Sequence, residues 1–173
     1  MPMTDGIVFR AAAQDDLAAM AEISVEARSR YRTMSSFAYV AETPAIAEHR
    51  FLEGRAIVAV TPAQTVLGFA LTRPLDDLLL LDNISTSSRC RSQGVGKRLL
   101  DAVLEQATTE RYPAVALTTF REPPWNGPWF RRFGFAQMPD GLIGPALRAL
   151  IKHQSSYLDL RTRETLWRLF PRA

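Results

Sequence analysis

Short, continuous apolar runs alternate along this chain with stretches where apolar residues recur every three or four positions. "IVFR" (7–10) has the first rhythm and predicts a strand. "QDDLAAMAEISVEARSRYR" (14–32) has the second, with Leu17, Met20, Ile23, Ala27 and Tyr31 on one face, and predicts a helix. Asp15 or Asp16 stands where it can cap that helix, and the acidic start and basic end complement its dipole. "TPAIAEHRFLE" (43–53) predicts a second helix with Pro44 in its first turn. "RAIVAVTPAQTVLGFALTRP" (55–74) reads as two antiparallel strands joined at Thr61–Gln64, and Asp76 and Asp77 mark the next turn. "LLLLDNIST" (78–86) opens on an unbroken apolar run, the mark of a central strand buried on both faces.

A helix follows from about Gln93 to Thr108, then a strand, "YPAVALTTF" (112–120). This strand–helix–strand unit favours parallel pairing through a right-handed crossover. "REPPWNGP" is a proline-rich loop that no strand tolerates. A short helix "WFRRF", a strand "GFAQM", a helix over 144–154 and a closing strand over 164–170 complete the chain. The order implies an α/β (α+β) fold, a mixed central sheet of about six to seven strands flanked by helices on both faces. The 173 residues suit one domain spanning 1–173.

Composition changes this picture little. A 47% hydrophobic content fills a core, and no apolar run approaches the ~20 residues needed to span a bilayer. "MPMTDGIVFR" lacks the basic-then-apolar layout of a secretory signal. Cys90, the single cysteine, cannot form an internal disulfide, so a reducing, cytoplasmic location is expected. His49 and His153 lie far apart with no cysteine cluster, so no metal site is expected. The net charge of +3 is a mild excess, and the arginines are scattered in small groups: Arg28, Arg30 and Arg32; Arg89 and Arg91; Arg131 and Arg132. Local clusters suit a small anion better than a nucleic acid, and the pI near 9.4 alone does not change that.

The chemistry gathers at "RCRSQGVGKRLL" (89–100). Gly94 and Gly96 at a helix start permit close approach to the backbone and expose N–H groups that lack intrahelical partners. Those groups, with the helix dipole and Arg91, Lys97 and Arg98, make a site for a phosphate, and several consecutive amides suit a diphosphate. Two familiar phosphate motifs fail. A P-loop needs four residues between its glycines, and a Rossmann fingerprint needs a third glycine where Leu99 stands. A glycine turn that merely begins a helix fits the same letters.

"RSQGVG" resembles the Arg/Gln-x-x-Gly-x-Gly/Ala turn that follows the central strand in the GNAT N-acetyltransferase superfamily. "VFRAAAQDDLAAMAEI" is similar to that superfamily's first strand and helix, and "NGPWFRRFGF" to its second cofactor segment. "LTTFREPPWNGPWFRRFGF" further resembles a bacterial subgroup with a Thr-Thr-Phe-Arg and Pro-Trp-Asn signature. The resemblance implies a GNAT-like sheet, splayed at its central parallel pair, and acetyl-CoA as ligand. It implies a pyrophosphate on Arg91, Ser92, Gln93, Gly94, Val95 and Gly96, with Lys97 and Arg98 at its edge. It implies pantetheine beside Ile84, Ser85 and Thr86, hydrogen-bonded as an added strand would be. Asn126 and Phe130 match further cofactor positions; a helix N-cap is an equally good role for Asn126.

The implied reaction is direct acetyl transfer, in a ternary complex, to a primary amine of a small molecule or peptide. An amine of lysine type has a pKa of about 10.4, so a base must take its proton and an acid must serve the departing thiolate. Many relatives carry tyrosine, as that acid, where this chain has Phe130. A GNAT-fold module that binds acyl-CoA and catalyses weakly is therefore the alternative. Asp82 and Glu122 are the candidate bases; a solvated strand residue and a surface charge are their bland readings. Cys90 lacks a neighbouring histidine to activate it, so packing is the expected role. Arg28, Arg30 and Arg32 serve either the helix dipole or an acidic acceptor. Relatives commonly dimerise, and the final strand could support a homodimer here.

Overall fold

The computed structural model describes residues 6–171. Seven strands form one sheet: β1 (Val8–Ala11), β2 (Arg55–Val60), β3 (Val66–Leu75), β4 (Leu78–Thr86), β5 (Ala114–Phe120), β6 (Ala136–Gln137) and β7 (Arg163–Leu169). Their spatial order is β1-β2-β3-β4-β5-β7-β6. The helices are α1 (Leu17–Ser29), α2 (Glu48–Glu53), α3 (Val95–Thr109), α4 (Gly127–Arg131) and α5 (Pro145–Gln154). The expected strand–helix–strand unit is present: β4 and β5 pair in parallel, at Leu79↔Val115 and Leu80↔Ala116. Residues 66–72 of β3, 78–81 of β4 and 114–117 of β5 are all buried, so both faces of these strands are covered. No helix among the described residues is long and apolar enough to cross a membrane.

The chain packs as two compact units, and β3, β4 and α3 each contribute to both. Among the described residues, the first holds 6–73 and Asn83–Glu105. Its core gathers Met20 and Ile23 of α1, Phe51 of α2, Val58 and Val60 of β2, and Val66, Phe69 and Leu71 of β3. Phe51 and Phe69 meet edge to face at 5.6 Å. Each such side chain contributes roughly 1.5–3 kcal/mol by leaving water. The β2–β3 hairpin turns where expected, with the Gln64 N–H donating to the Thr61 carbonyl at 2.8 Å. Gly68 in β3 is a packing glycine: a Cβ there would stand 2.8 Å from the Ser85 carbonyl oxygen and 3.1 Å from Thr86 Cγ2.

Two expectations fail in this unit. The second helix begins at Glu48 rather than 43, and Pro44 lies outside it. A 3-10 helix over Ser35–Glu42 precedes it, and Arg28 fixes the link by donating to Thr43 Oγ1 (2.7 Å) and to the Pro44 carbonyl. That grip holds Thr43 and Pro44 in an extended approach that local propensity cannot foretell. Asp16 does not cap α1 with its side chain; its Oδ2 accepts the Ala13 N–H at 2.7 Å and pairs with Arg10.

The second unit holds Pro74–Asp82 and Gln106–Ala173. β5 and β7 pair antiparallel through seven positions, from Ala114↔Leu169 to Phe120↔Arg163. Leu78, Leu80, Ala114, Ala116, Met138 and Leu147 form its core. The Asp76–Asp77 turn has φ of 48° and 64°, which short polar side chains tolerate. Asp76 also caps α5 from a distance: Oδ1 accepts the Ala146 N–H (3.0 Å) and Oδ2 the Leu147 N–H (2.7 Å). α4 starts at Gly127, two residues ahead of the expected "WFRRF". The expected strand "GFAQM" shrinks to Ala136–Gln137, which pair with Trp167 and Leu166 of β7; the Met138 N–H adds one bond to the Thr165 carbonyl at 2.9 Å.

Candidate functional site

In the first unit the sequence Ser87–Arg98 builds a bare turn. Ser88–Cys90 is a 3-10 turn, and Val95 begins α3. Local bonds use up some of the amides: Cys90 N–H donates to Ser87 O, Arg91 N–H to Ser88 O, and Gln93 N–H to Cys90 O. The Arg98 N–H closes the first turn of α3 on the Gly94 carbonyl at 3.1 Å. The N–H groups of Ser92, Gly94, Val95 and Gly96 have no hydrogen-bond acceptor among the described residues. Ser92 (φ 62°) and Gly94 (φ 72°) both take the left-handed conformation, which swings successive amides toward one side. A Cβ on Gly94 would meet nothing within 4 Å, so the space beside this backbone is open. Helix-start amides without intrahelical partners are groups that can bind an anion.

The cations around the turn are unequally disposed. Lys97 is paired with Asp101 at 2.6 Å, and Arg98 lies over the Phe9 ring, 4.4 Å from its centre. Arg91 is exposed, with no side-chain partner among the described residues. Burial chiefly depresses the pKa of Arg30 at the end of α1; Tyr31 raises it and Arg91 lowers it further. Ser85 is buried and donates to Asn83 Oδ1 at 2.7 Å, while Ile84 and Thr86 are half-buried. Cys90 is 3% exposed, and burial pushes its thiol pKa up, so it stays a protonated packing residue.

Arg28 and Arg32 bond within the chain. Arg28 is spent on the Ser24, Thr43 and Pro44 oxygens. Arg32 forms an exposed pair with Glu42 at 3.0 Å.

In the second unit Asp82 is half-buried at the end of its β4 segment, and Glu122 is exposed in the loop after β5. Asn126 does occupy the N-cap position of α4, but with its backbone: its carbonyl accepts the Trp129 N–H (2.9 Å) and the Phe130 N–H (3.1 Å), and its side chain caps nothing. Phe130 is 5% exposed, edge to face with Trp129 at 5.0 Å and with Phe135 at 5.6 Å.

Three residues with clear roles escaped the sequence reading. Glu164 is buried and accepts both arms of the Arg131 guanidinium, at 2.7 and 2.5 Å. Gly127 is glycine because a Cβ there would collide with the Glu164 carboxylate and lie 2.9 Å from Arg131 Nη1. Glu26, on α1, accepts the Ser88 N–H (2.9 Å), the Ser88 hydroxyl and the Ser87 hydroxyl (3.2 Å). Those bonds hold the Glu26 carboxyl below its ordinary pKa, the Ser88 hydroxyl first among them. Gly127 sits in a recognisable segment, but Glu26 and Glu164 look like ordinary charges until their partners appear.

Farther along β5 and β7, Arg163 donates to Thr118 Oγ1 (2.9 Å), and the Thr118 hydroxyl donates to Gln154 Oε1 (3.1 Å). Arg163 also covers the Phe120 ring at 4.6 Å. A cavity of about 70 Å³ lies beside them, room for about two waters rather than an acceptor molecule.

Known proteins share this fold. The profile of the Acetyltransferase (GNAT) family matches residues 17–135. An acetyltransferase of the GNAT family from Staphylococcus aureus Mu50 superposes with a TM-score of 0.71 at 16% identity, covering 96% of this chain and 100% of that one. The PaiA N-acetyltransferase of Thermoplasma acidophilum, solved with coenzyme A, gives 0.70 at 13% identity, covering 95% and 99%. The ribosomal-protein-S18-alanine N-acetyltransferase of Escherichia coli gives 0.67 at 14%, covering 96% of each chain. At these identities the structures speak for the fold, and the profile, which takes in both α1 and the glycine turn, speaks for kinship: the chain belongs to the GNAT acetyltransferase family.

Proposed function

We propose that this protein is an N-acetyltransferase that moves the acetyl group of acetyl-CoA to a primary amine of a small molecule or peptide, by direct transfer in a ternary complex. One observation supports the donor half above all: the unpartnered amides of Ser92, Gly94, Val95 and Gly96, with open space beside Gly94. Anionic diphosphate is the part of the donor that such amides and Arg91 suit. Gln93 shares the turn, and Lys97 and Arg98 stand at its edge, steadied by Asp101 and Phe9. The backbone of Ile84–Thr86 would take pantetheine as an added strand, with Asn126 and Phe130 as further contacts.

Bound acetyl-CoA supplies a thioester carbonyl for the amine to attack. The protein's share is positioning plus removal of the ammonium proton; the second N–H proton, lost as the tetrahedral adduct collapses and the C–S bond breaks, passes through water to the departing thiolate. Holding two reactants together can lower a barrier by roughly 7–11 kcal/mol in ideal cases, so modest acid–base help suffices. Asp82, half-buried on β4, is the favoured base to take the ammonium proton; Glu122, fully in water, is the second choice.

Phe130 supports a second reading, a weakly catalytic acyl-CoA-binding module, because its buried ring has no hydroxyl to protonate a thiolate. Thiol release from acetyl-CoA with a panel of primary amines separates the two. Turnover with any amine supports the enzyme; tight CoA binding without turnover supports the module; no CoA binding at millimolar ligand ends both. In an active protein, Asp82→Asn is expected to lower kcat far more than CoA affinity.

A further inference from the structure

We infer that Glu26 is a positioning residue for the cofactor turn, a carboxylate on α1 that holds the end of β4 in the place from which the bare amides project. Ser87 and Ser88 are where the strand ends and the turn begins. Two attachments fix them. The Ser87 N–H donates to the Leu67 carbonyl on β3 at 2.8 Å. From the other side come the three bonds to Glu26, sixty-one and sixty-two residues away in sequence. Beyond Ser88, the backbone N–H groups up to Gln93 bond locally, to Ser87 Oγ and to the Ser87, Ser88 and Cys90 carbonyls. The Ser87–Ser88 anchor thus fixes the near end of the turn, with buried Cys90, whose thiol donates to the Leu67 carbonyl at 3.4 Å, as a second hold, and buried Val95 fixes its far end on α3.

The charge makes the assignment testable by sign. A carboxylate close to an anion site repels the ligand if it does nothing else. Here its charge is absorbed by two hydroxyls and an amide, with Arg89 acting electrostatically on it as well. Removing a mere nearby charge would strengthen binding of a polyanion. Removing an anchor would weaken it, because the amides would then have to be ordered at the moment of binding.

The inference rests on the cofactor reading above, so its test has one arm independent of that reading. Without ligand, hydrogen exchange of the amides from Ser88 to Gln93 is compared between wild type and Glu26→Ala; faster exchange in the variant is expected, and unchanged exchange overturns the anchor. Calorimetry with CoA is then run on wild type, Glu26→Ala, Glu26→Gln and, as a control for general destabilisation, Asp76→Ala in the other unit. Glu26→Ala is expected to weaken CoA by about tenfold or more, with kcat at saturating acetyl-CoA nearly unchanged. Glu26→Gln, whose carbonyl still accepts from Ser88, falls between, and keeps the test alive should the alanine variant fail to fold. Asp76→Ala binds CoA as wild type does. Equal or tighter CoA binding by both Glu26 variants overturns the inference; absence of CoA binding by wild type overturns the cofactor reading instead, and leaves hydrogen exchange to judge the anchor.

Discussion

The glycine turn at 91–96 and the cluster around Glu164 treat their polar groups in opposite ways. In the turn, the N–H groups of Ser92, Gly94, Val95 and Gly96 have no acceptor among the described residues, and the space beside Gly94 is open. Around Glu164, a buried carboxylate is matched by both arms of Arg131, and Gly127 is kept bare so that the pair fits. Burying an unmatched charge costs several kcal/mol, so the second region must be closed to be stable. Exposed amides in water cost little, so the first can stay open and spend its hydrogen bonds on a ligand. Glycine appears in both for different reasons: Gly94 for its φ of 72° and the space beside it, Gly127 for want of room.

The largest effect should come from filling the open region. Gly94→Trp is expected to weaken CoA at least ~100-fold while costing about 1–2 kcal/mol of stability, since the left-handed backbone strains any side chain but nothing is struck. Calorimetry and thermal melting read the two quantities; loss of the fold with unchanged affinity in the folded fraction would reverse the comparison. Breaking the closed region should do the opposite. Glu164→Ala is expected to cost about 2–3 kcal/mol of stability, reduced from the fully buried case because Arg131 is 42% exposed, with a far smaller loss of CoA affinity than Gly94→Trp. Asp76→Ala, which strips two amides of α5 of their cap, should cost about 1 kcal/mol, read as a Tm lower by a few degrees.

Acid gives the smallest and most general effect. The pairing with Arg10 holds Asp16 below its ordinary pKa, and the Ser88 hydroxyl holds Glu26 below its own. A depressed carboxyl stabilises the fold fully above its unfolded pKa, about 4, and that contribution is lost as pH falls through the lower folded value. Wild type should therefore lose stability from about pH 5 downward, and Asp16→Asn should flatten that slope; an unchanged slope would show that the pair contributes nothing.

Periodicity and turn chemistry made most of the scaffold legible. The hairpin at Thr61–Gln64, the parallel β4–β5 unit and α5 all follow from local pattern. The glycine turn was legible for the same reason, because helix-start amides are a local property. What stayed hidden depends on partners distant in sequence. Pro44 suggested a helix start, and only the Arg28 side chain explains why the segment is extended. Glu26 sits on a helix like any surface acid, and Glu164 sits in a strand among other charged residues. Gly68 gives no sign that a strand passes 2.8 Å from where its Cβ would be. Asn126 was read with two roles, and the structure gives the capping one to its carbonyl rather than its side chain.

The most direct test follows the backbone amide resonances while CoA is titrated into uniformly nitrogen-15-labelled protein. The account predicts that Ser92, Gly94, Val95 and Gly96 shift most, downfield and saturably, as their N–H groups acquire phosphate acceptors. Saturable binding that leaves these four resonances in place would contradict it.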